Sequence, residues 1–300
     1  MTNQPNQQPA FHSGFVTIAG RPNVGKSTLM NAMIGEKIAI VSPRPQTTRN
    51  RVMGILTDEH SQIVFLDTPG IHQPRTQLGE YMMKAVKDAM DGMDVLVILV
   101  DASNLTEQDV KIAEEMAATR CPKVLALNKI DLKTREALLA EIARFGEMGF
   151  DAIIPVSAKT GDGLDELKQE LVRLLPEGPK YFPDDAITDQ PERLICAELI
   201  REQALRLLRD EVPHGIGVEM MRIREAREGL TEIDATIYCE RDTHKGIIIG
   251  RGGAMLREIG TNARMEIERL LGTHVNLKLW VKVRPDWRNR KEDLKNLGYD

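Results

Sequence analysis

Apolar and polar positions follow two different rhythms along this chain. From Gly14 to about Pro176, short and nearly unbroken apolar runs recur: GFVTIAG, RVMGILTD, SQIVFLD, DVLVILVDA, PKVLALNK and DAIIPVSA. Such runs, lacking polar alternation, predict strands covered on both faces, as in a parallel sheet. Most are separated by stretches with apolar positions three or four apart, such as KSTLMNAMIG, LGEYMMKAVKDAM and TREALLAEIARF, which predict helices. Strand and helix in alternation predict an α/β domain with a doubly wound, mostly parallel sheet. RVMGILTD and SQIVFLD are joined too tightly for a helix to lie between them, so an antiparallel hairpin is expected there.

The rhythm changes at PEGPKYFPDDAITDQP, where four prolines and several acids predict a linker. Beyond it, ERLICAELIREQALRLLRDE reads as a helix, and GVEMMRIREA and TEIDATIYCER as extended stretches. KGIII reads as the end of a short helix. A glycine-rich turn then opens a long helix ending near Leu271, and VNLKLWVKVR closes the pattern as a strand. This order predicts a separate α+β domain. The expected boundaries are a disordered tail over residues 1–13, a first domain over 14–176, a linker over 177–190, and a second domain with a C-terminal tail over 191–300. No internal repeat links the two.

A chain of 300 residues, 42% hydrophobic and 28% charged, has room for two cores. Its net charge of −5 argues against nucleic-acid binding by the molecule as a whole, but the distribution is uneven. Residues 181–240 carry a balance of −7 and residues 241–290 one of +6, so the glycine-rich turn lies in a basic stretch. Cys121, Cys196 and Cys239 are far apart in sequence, as expected for idle thiols in a reducing compartment. There is no apolar run of membrane-spanning length, and the polar opening MTNQPNQQPAFHSG lacks a signal-peptide core. A cytoplasmic protein is expected.

The chemistry starts at GRPNVGKS, residues 20–27, directly after one predicted strand and before a helix. That context makes G-x-x-x-x-G-K-S a phosphate loop. Gly20 and Gly25 permit the tight turn through Arg21, Pro22, Asn23 and Val24, and the N–H groups of the loop and of the helix start point at the β-phosphate. Lys26 is placed to reach the β and γ oxygens, Ser27 to ligate Mg²⁺, and Thr28 to sit near the α-phosphate. Asn128, Lys129 and Asp131 of NKID end a later strand. The Asp131 carboxylate can accept two N–H bonds from guanine, which adenine cannot supply, so the nucleotide is expected to be GTP or GDP. Asn128 can bond guanine N7, and the Lys129 stem can lie over the ring. Ser157, Ala158 and Lys159 follow another strand, where the Ala158 amide can meet guanine O6. In DTPG (Asp67, Thr68, Pro69, Gly70), Asp67 would hold Mg²⁺ through water and the Gly70 amide would meet the γ-phosphate. Between loop and DTPG lies VSPRPQTTRNR, whose Thr47 and Thr48 are candidates to sense the γ-phosphate through the metal.

In this order and spacing, the motifs resemble the Era/MnmE/EngA group of translational GTPases over the first 176 residues. The resemblance implies that Thr48 is the magnesium ligand, and it associates Asn23 and Thr47 with a bound K⁺. The implied catalytic groups are Lys26, Thr48 and Gly70. Ile71 stands after DTPG, so no glutamine is available there to orient water. Arg44, Arg49 and Arg51 are expected to be solvated or structural rather than catalytic fingers, and slow intrinsic hydrolysis follows.

The second glycine motif, GIIIGRGGAM, fails as a dinucleotide fingerprint because Met255 stands where the last glycine should be. It fits G-x-x-G instead: Gly250, Arg251, Gly252 and Gly253, between two helices. Such a loop lets a nucleic-acid backbone approach while an apolar groove takes unpaired bases. Lys245, Arg251 and Arg257 supply charge for phosphates, and Arg264 recurs along the helix. Trp287 and Trp280 could stack on bases, although the alternating strand around Trp280 points to a core position. The order of elements resembles a type II KH domain, and a P-loop GTPase domain followed by a KH domain is similar to the Era branch across essentially the whole chain.

That resemblance implies an RNA partner, the 3′ end of small-subunit ribosomal RNA, and a role in assembly of the small ribosomal subunit. It also implies peripheral association with the inner face of the membrane, for which VKVRPDWRNRK is basic enough. No obligate protein partner is evident, and a monomer is expected. The alternatives are an RNA chaperone with a regulatory nucleotide site, and a transfer-RNA modification GTPase of the MnmE type, which the lack of a C-terminal cysteine disfavours.

Overall fold

A computed structural model describes residues 10–44, 46–71 and 74–299. The chain divides into two compact bodies. Of the described residues, the first holds 10–36, 51–71 and 86–189; the second holds 37–44, 46–50, 74–85 and 190–299. Most of the sequence-expected tail, residues 1–9, lies outside the described residues.

In the first body the six expected strands all form: β1 (His12–Ala19), β2 (Val52–Thr57), β3 (Ser61–Asp67), β4 (Val95–Asp101), β5 (Lys123–Asn128) and β6 (Ala152–Pro155). They pair in the order β2-β3-β1-β4-β5-β6. β2 is antiparallel to β3, and the other neighbours are parallel. β3 and β4 are buried at every position, which is why their centres, Ile63–Leu66 and Val95–Val100, read as unbroken apolar runs. The helices are α1 (Lys26–Ile34), α2 (Gln77–Met90), α3 (Glu107–Ala117), α4 (Arg135–Gly146) and α5 (Leu164–Leu174), and the division between the bodies falls within α2. Leu96, Ile98, Leu125, Leu127 and Phe145 form one of this body's cores. Thr106 and Asp109 close a reciprocal capping box at the start of α3.

Two expectations about chain ends are corrected here. β1 starts at His12, inside the segment read as tail, because His12 Nδ1 lies 2.9 Å from the Leu175 carbonyl and its backbone bridges to Glu177. The segment read as a linker is strapped to the sheet. The amides of Tyr181 and Phe182 donate to Gln62 Oε1 at 2.7 and 3.0 Å, Gln62 Nε2 donates to Phe182 O at 2.9 Å, and Thr188 Oγ1 donates to Met53 O at 2.6 Å. Tyr181 also packs on Phe15. Gln62 is fully buried, so removing its amide strands two backbone donors. Gln62→Ala is expected to cost about 2–4 kcal/mol in urea unfolding of the first body; a loss below about 0.5 kcal/mol would show that the strap contributes nothing.

The second body contains α6 (Glu192–Leu207), β7 (Gly217–Arg227), β8 (Leu230–Cys239), α7 (Asp242–Ile249), α8 (Ala254–Leu271), β9 (His274–Val283) and α9 (Lys291–Asn296). Its sheet runs β7-β8-β9, with β7/β8 antiparallel and β8/β9 parallel. Ile200, Ile233, Ile237, Ile259 and Ile267 are among the residues of a core shared by the helices and one sheet face. Cys196 and Cys239 are buried and Cys121 half-buried, all free thiols; burial pushes the Cys196 thiol up to about 12, which keeps it inert. The expected C-terminal tail instead folds: Leu294, Leu297 and Tyr299 pack with Trp287, Leu78 and Met82. The expectation for Trp280 is also reversed. Trp287 is the buried tryptophan, donating to Gly215 O at 2.9 Å, whereas Trp280 is 45% exposed.

Candidate active site and nucleic-acid cleft

The four nucleotide motifs of the first body all lie at the carboxyl ends of parallel strands, where α/β sheets bind ligands. The phosphate loop leaves β1, DTPG leaves β3, NKID leaves β5, and Ser157–Lys159 follow β6. Gly25 has φ 105°, and a Cβ there would overlap Asn128 Nδ2; one at Gly70 would strike Pro22. Glycine is required at both positions by close approach of other segments.

The structure brings together most of the expected residues. Ser27 Oγ donates to Asp67 Oδ2 at 2.6 Å at the mouth of the loop. Lys26 is buried beneath it, donating to the carbonyls of Gly20 and Arg21 at 3.1 and 3.0 Å. Burial pushes its ammonium down to about 8, against the opposing pull of Asp67. Asn128 ties the base side to the phosphate side: its Nδ2 donates to Val24 O at 2.8 Å, and its Oδ1 accepts the Ala158 amide at 3.0 Å. The amide assigned to guanine O6 is therefore held by Asn128 in this state. Asp131 is exposed, with Oδ1 accepting Ser157 Oγ at 2.7 Å. Lys129 adopts φ 66° and donates to Asp101 Oδ2 at 2.6 Å and Asn23 O at 3.1 Å, which sets its stem along the base side. Thr68 is buried, donating to Ile18 O at 2.9 Å, so its role is to hold the strand end.

Two supporting residues were not singled out in the sequence. Asp101 anchors Lys129, and although burial opposes it, the Lys129 and Ser103 bonds hold its carboxyl below the usual range. Asp109, the α3 capping carboxylate, also takes Arg21 Nε at 2.7 Å. The T-x-x-D spacing at residues 106–109 marked that cap, but nothing local marked its second partner.

Thr47 and Thr48 belong to segment 37–50 of the second body. Thr47 Oγ1 donates to Arg44 O at 2.6 Å, and its carbonyl accepts the buried Arg201 guanidinium. Arg49 is buried too, donating to Ile216 O at 2.7 Å and lying over the rings of Trp287 and Tyr299, a structural role as expected. Glu202 completes the anchorage, accepting Val41 N–H at 2.9 Å and Lys37 Nζ at 2.7 Å.

The second glycine motif forms a tight turn between α7 and α8. Gly250, Gly252 and Gly253 have φ of 72°, 59° and 77°, a run that only glycine adopts readily. Arg251 and Gly252 are exposed at its tip and Lys245 is half-buried on α7. Beside the turn opens a cleft of about 340 Å³, lined by Leu256, Arg257, Gly260, Arg264, Leu277 and Leu279. Gly260 was not foreseen as a site residue. It lies inside α8, where glycine costs about 1 kcal/mol relative to alanine, and a Cβ there would press on Leu279 across the cleft floor.

The family profile described as "50S ribosome-binding GTPase" matches residues 15–129, and that described as "KH domain" matches residues 211–288. GTPase Era of Ruminiclostridium cellulolyticum is 51% identical, covering 97% of this chain and 98% of its own. GTPase Era of Alkaliphilus metalliredigens is 52% identical, covering 97% and 100%. This chain belongs to the Era family of GTPases. A crystal structure of Era in complex with MgGDPNP and nucleotides 1506–1542 of 16S ribosomal RNA is similar over 96% of this chain and 99% of that one, at 40% identity and a TM-score of 0.92. An Aquifex aeolicus Era variant bound to GDP and aluminium fluoride gives the same identity, coverage and TM-score. Like those proteins, this Era-family chain is a P-loop GTPase joined to a KH domain.

For an Era-family GTPase the buried Lys26 has a measurable signature. Its folded value of about 8 lies below the ordinary 10.5, so between those values the unfolded chain binds more protons and stability of the nucleotide-free protein rises with pH. A bound phosphate reverses the balance by favouring the ammonium. Binding of GDP at pH 8.5 is therefore expected to take up a fraction of a proton, and affinity should fall as pH rises from 8 towards 10. Calorimetry in two buffers of different ionisation enthalpy measures the uptake, and Lys26→Met should abolish it.

Proposed function

We propose that this GTPase is a switch that binds the single-stranded 3′ end of small-subunit ribosomal RNA and acts in assembly of the small subunit and maturation of its RNA. The observation that carries the reading is the cleft beside the glycine turn, apolar on its floor and bordered by the exposed Arg257 and Arg264. Its chemistry suits unpaired bases with their phosphates against the turn. The RNA held by Era in the similar complex supports the choice of target.

In the nucleotide site, Ser27 and Asp67 offer a hydroxyl and a carboxylate within 2.6 Å of one another. Hard oxygen donors of this kind, completed by water, fit Mg²⁺. Ser27 would hold the ion directly, Asp67 through water, and Thr48 once the γ-phosphate draws its segment in; the ion would neutralise charge on the phosphates. Lys26 and the Gly70 amide then address the γ-phosphoryl oxygens. With Ile71 in place of a water-orienting glutamine, intrinsic turnover is slow. We assign Asn23 and Thr47 as candidate ligands for K⁺, which would add positive charge where an arginine finger is lacking.

We propose a cytoplasmic location. Arg288 pairs with Glu240 at 2.6 Å and Arg284 with Asp293 at 3.2 Å, so part of the basic run near the C-terminus is engaged within the fold. Fewer of its charges are then available to hold a lipid surface. One experiment tests the proposal: GTP turnover measured in potassium and in sodium, with and without RNA of the small-subunit 3′ end, alongside crosslinking to cellular RNA with GTP and with GDP. Enrichment of that 3′ end, with turnover raised by RNA and by potassium, is the expected result. Crosslinks scattered over other RNAs would overturn the target, and turnover indifferent to RNA would favour the chaperone reading.

A further inference from the structure

Among the described residues β9 is an edge of its sheet, paired with β8 alone, and its two faces differ. Leu277 and Leu279 face the helices and line the cleft. His274, Asn276, Lys278, Trp280 and Lys282 point the other way and are exposed. On that outer face an indole with nearly half its surface in water stands between two lysines, each two positions away, about 7 Å along the strand. Neither Lys278 nor Lys282 forms an ion pair among the described residues. The carboxylates nearest in register are mostly engaged elsewhere: Glu232 with Arg222 and Arg224 at 3.3 and 2.8 Å, and Glu219 with the Tyr238 hydroxyl at 2.7 Å. Asp234 stands opposite Lys278. Across the sheet from Trp280 lies Thr236, too small to cover the ring.

We propose that the outer face of β9 is a second contact for the same RNA, in which Trp280 stacks on one unpaired base while Lys278 and Lys282 take the phosphates on either side. A strand lying in the cleft against Leu277 and Leu279 needs only to round the open edge of β9 to reach the indole. Two features select single-stranded RNA as the occupant. The surface continues the cleft proposed to bind it, and an exposed aromatic flanked by cations is the pairing that stacking platforms for single strands use. A protein partner would find little apolar area here besides the one ring.

This inference rests on the RNA-binding reading, and the test separates the two. The full-length protein is titrated with six- and fourteen-nucleotide single strands of the small-subunit 3′ end, the shorter sufficient for a cleft that takes four nucleotides. Trp280→Ala is expected to weaken the longer strand roughly five- to hundredfold and to leave the shorter one unchanged. Trp280→Phe should keep most of the affinity. The longer strand should also quench tryptophan emission in the wild type and not in Trp280→Phe, because Trp287 is buried. Equal binding of both strands by Trp280→Ala overturns the second contact, as does an equal loss for both strands. Failure of the wild type to bind either strand overturns the RNA reading itself, and this contact with it.

Discussion

Asp131→Asn is expected to convert a guanine site into a xanthine site. The Asp131 carboxylate is exposed at the end of β5, steadied on one oxygen by the Ser157 hydroxyl at 2.7 Å, and a guanine would present its N1 and N2 donors to it. Two charge-assisted bonds at roughly 1.5–3 kcal/mol each correspond to about 10²- to 10⁴-fold in affinity for GTP. An asparagine keeps one acceptor and gains an amide donor, which meets the C2 carbonyl of xanthosine triphosphate. Titrating both nucleotides against the variant should show that reversal. Retained preference for GTP would mean that another group reads the base.

Gly253→Asp should remove RNA binding and leave the nucleotide site intact. Gly253 has φ 77° with open space around the position of a Cβ, so the side chain meets nothing within the fold. Asparagine and aspartate tolerate that conformation better than other residues, at a cost of about 1–2 kcal/mol. What it does meet is the approaching backbone of the RNA, with a negative charge. Affinity is expected to fall at least about a hundredfold, equivalent to the loss of two charge-assisted contacts. Wild-type affinity should fall by roughly 0.7 log unit per log unit of salt for each phosphate neutralised. RNA and GTP affinities measured on one preparation, checked by circular dichroism, decide the matter. Normal RNA binding would remove the turn from the interface, and a parallel loss of GTP binding would show that the variant is damaged as a whole.

The central strands and the nucleotide motifs were legible because both rest on local chemistry. A strand buried on two faces is apolar over most of its length, with any polar residue hydrogen-bonded, and a phosphate loop must place its glycines where other segments crowd it, as Gly25 and Asn128 show. What escaped depends on distant partners. PEGPKYFPDDAITDQP reads as a linker from its prolines and acids, and only Gln62 and Phe15, far upstream, turn it into a strap. Segment 37–50 is contiguous with the phosphate-loop domain in sequence, yet it is held by Arg201 and Glu202 of α6. α6 buries both charges together with its apolar residues, so no clean amphipathic stripe announces which side faces what. Trp280 was misjudged for a simpler reason. Leu279, Trp280 and Val281 are consecutive apolar residues, and the period of two that runs through Val275, Leu277, Leu279 and Val281 leaves Trp280 on the opposite face.

During synthesis the second body has to wait for its own ends. Ile40, Arg49, Leu78 and Met82 emerge early, whereas Trp287, Leu294 and Tyr299, against which Arg49, Leu78 and Met82 pack, lie more than 200 residues further along the chain. At about 5–20 residues per second, the delay between the two sets is roughly 10–40 s. Through that interval Arg49 has no burial site and the apolar residues of segment 37–50 have no core to enter, so the nascent chain offers them to chaperones and proteases. A product that stops short of Leu294 leaves Leu78 and Met82 without Leu294 and Tyr299 to pack on, so a stretch made late completes the burial of one made early.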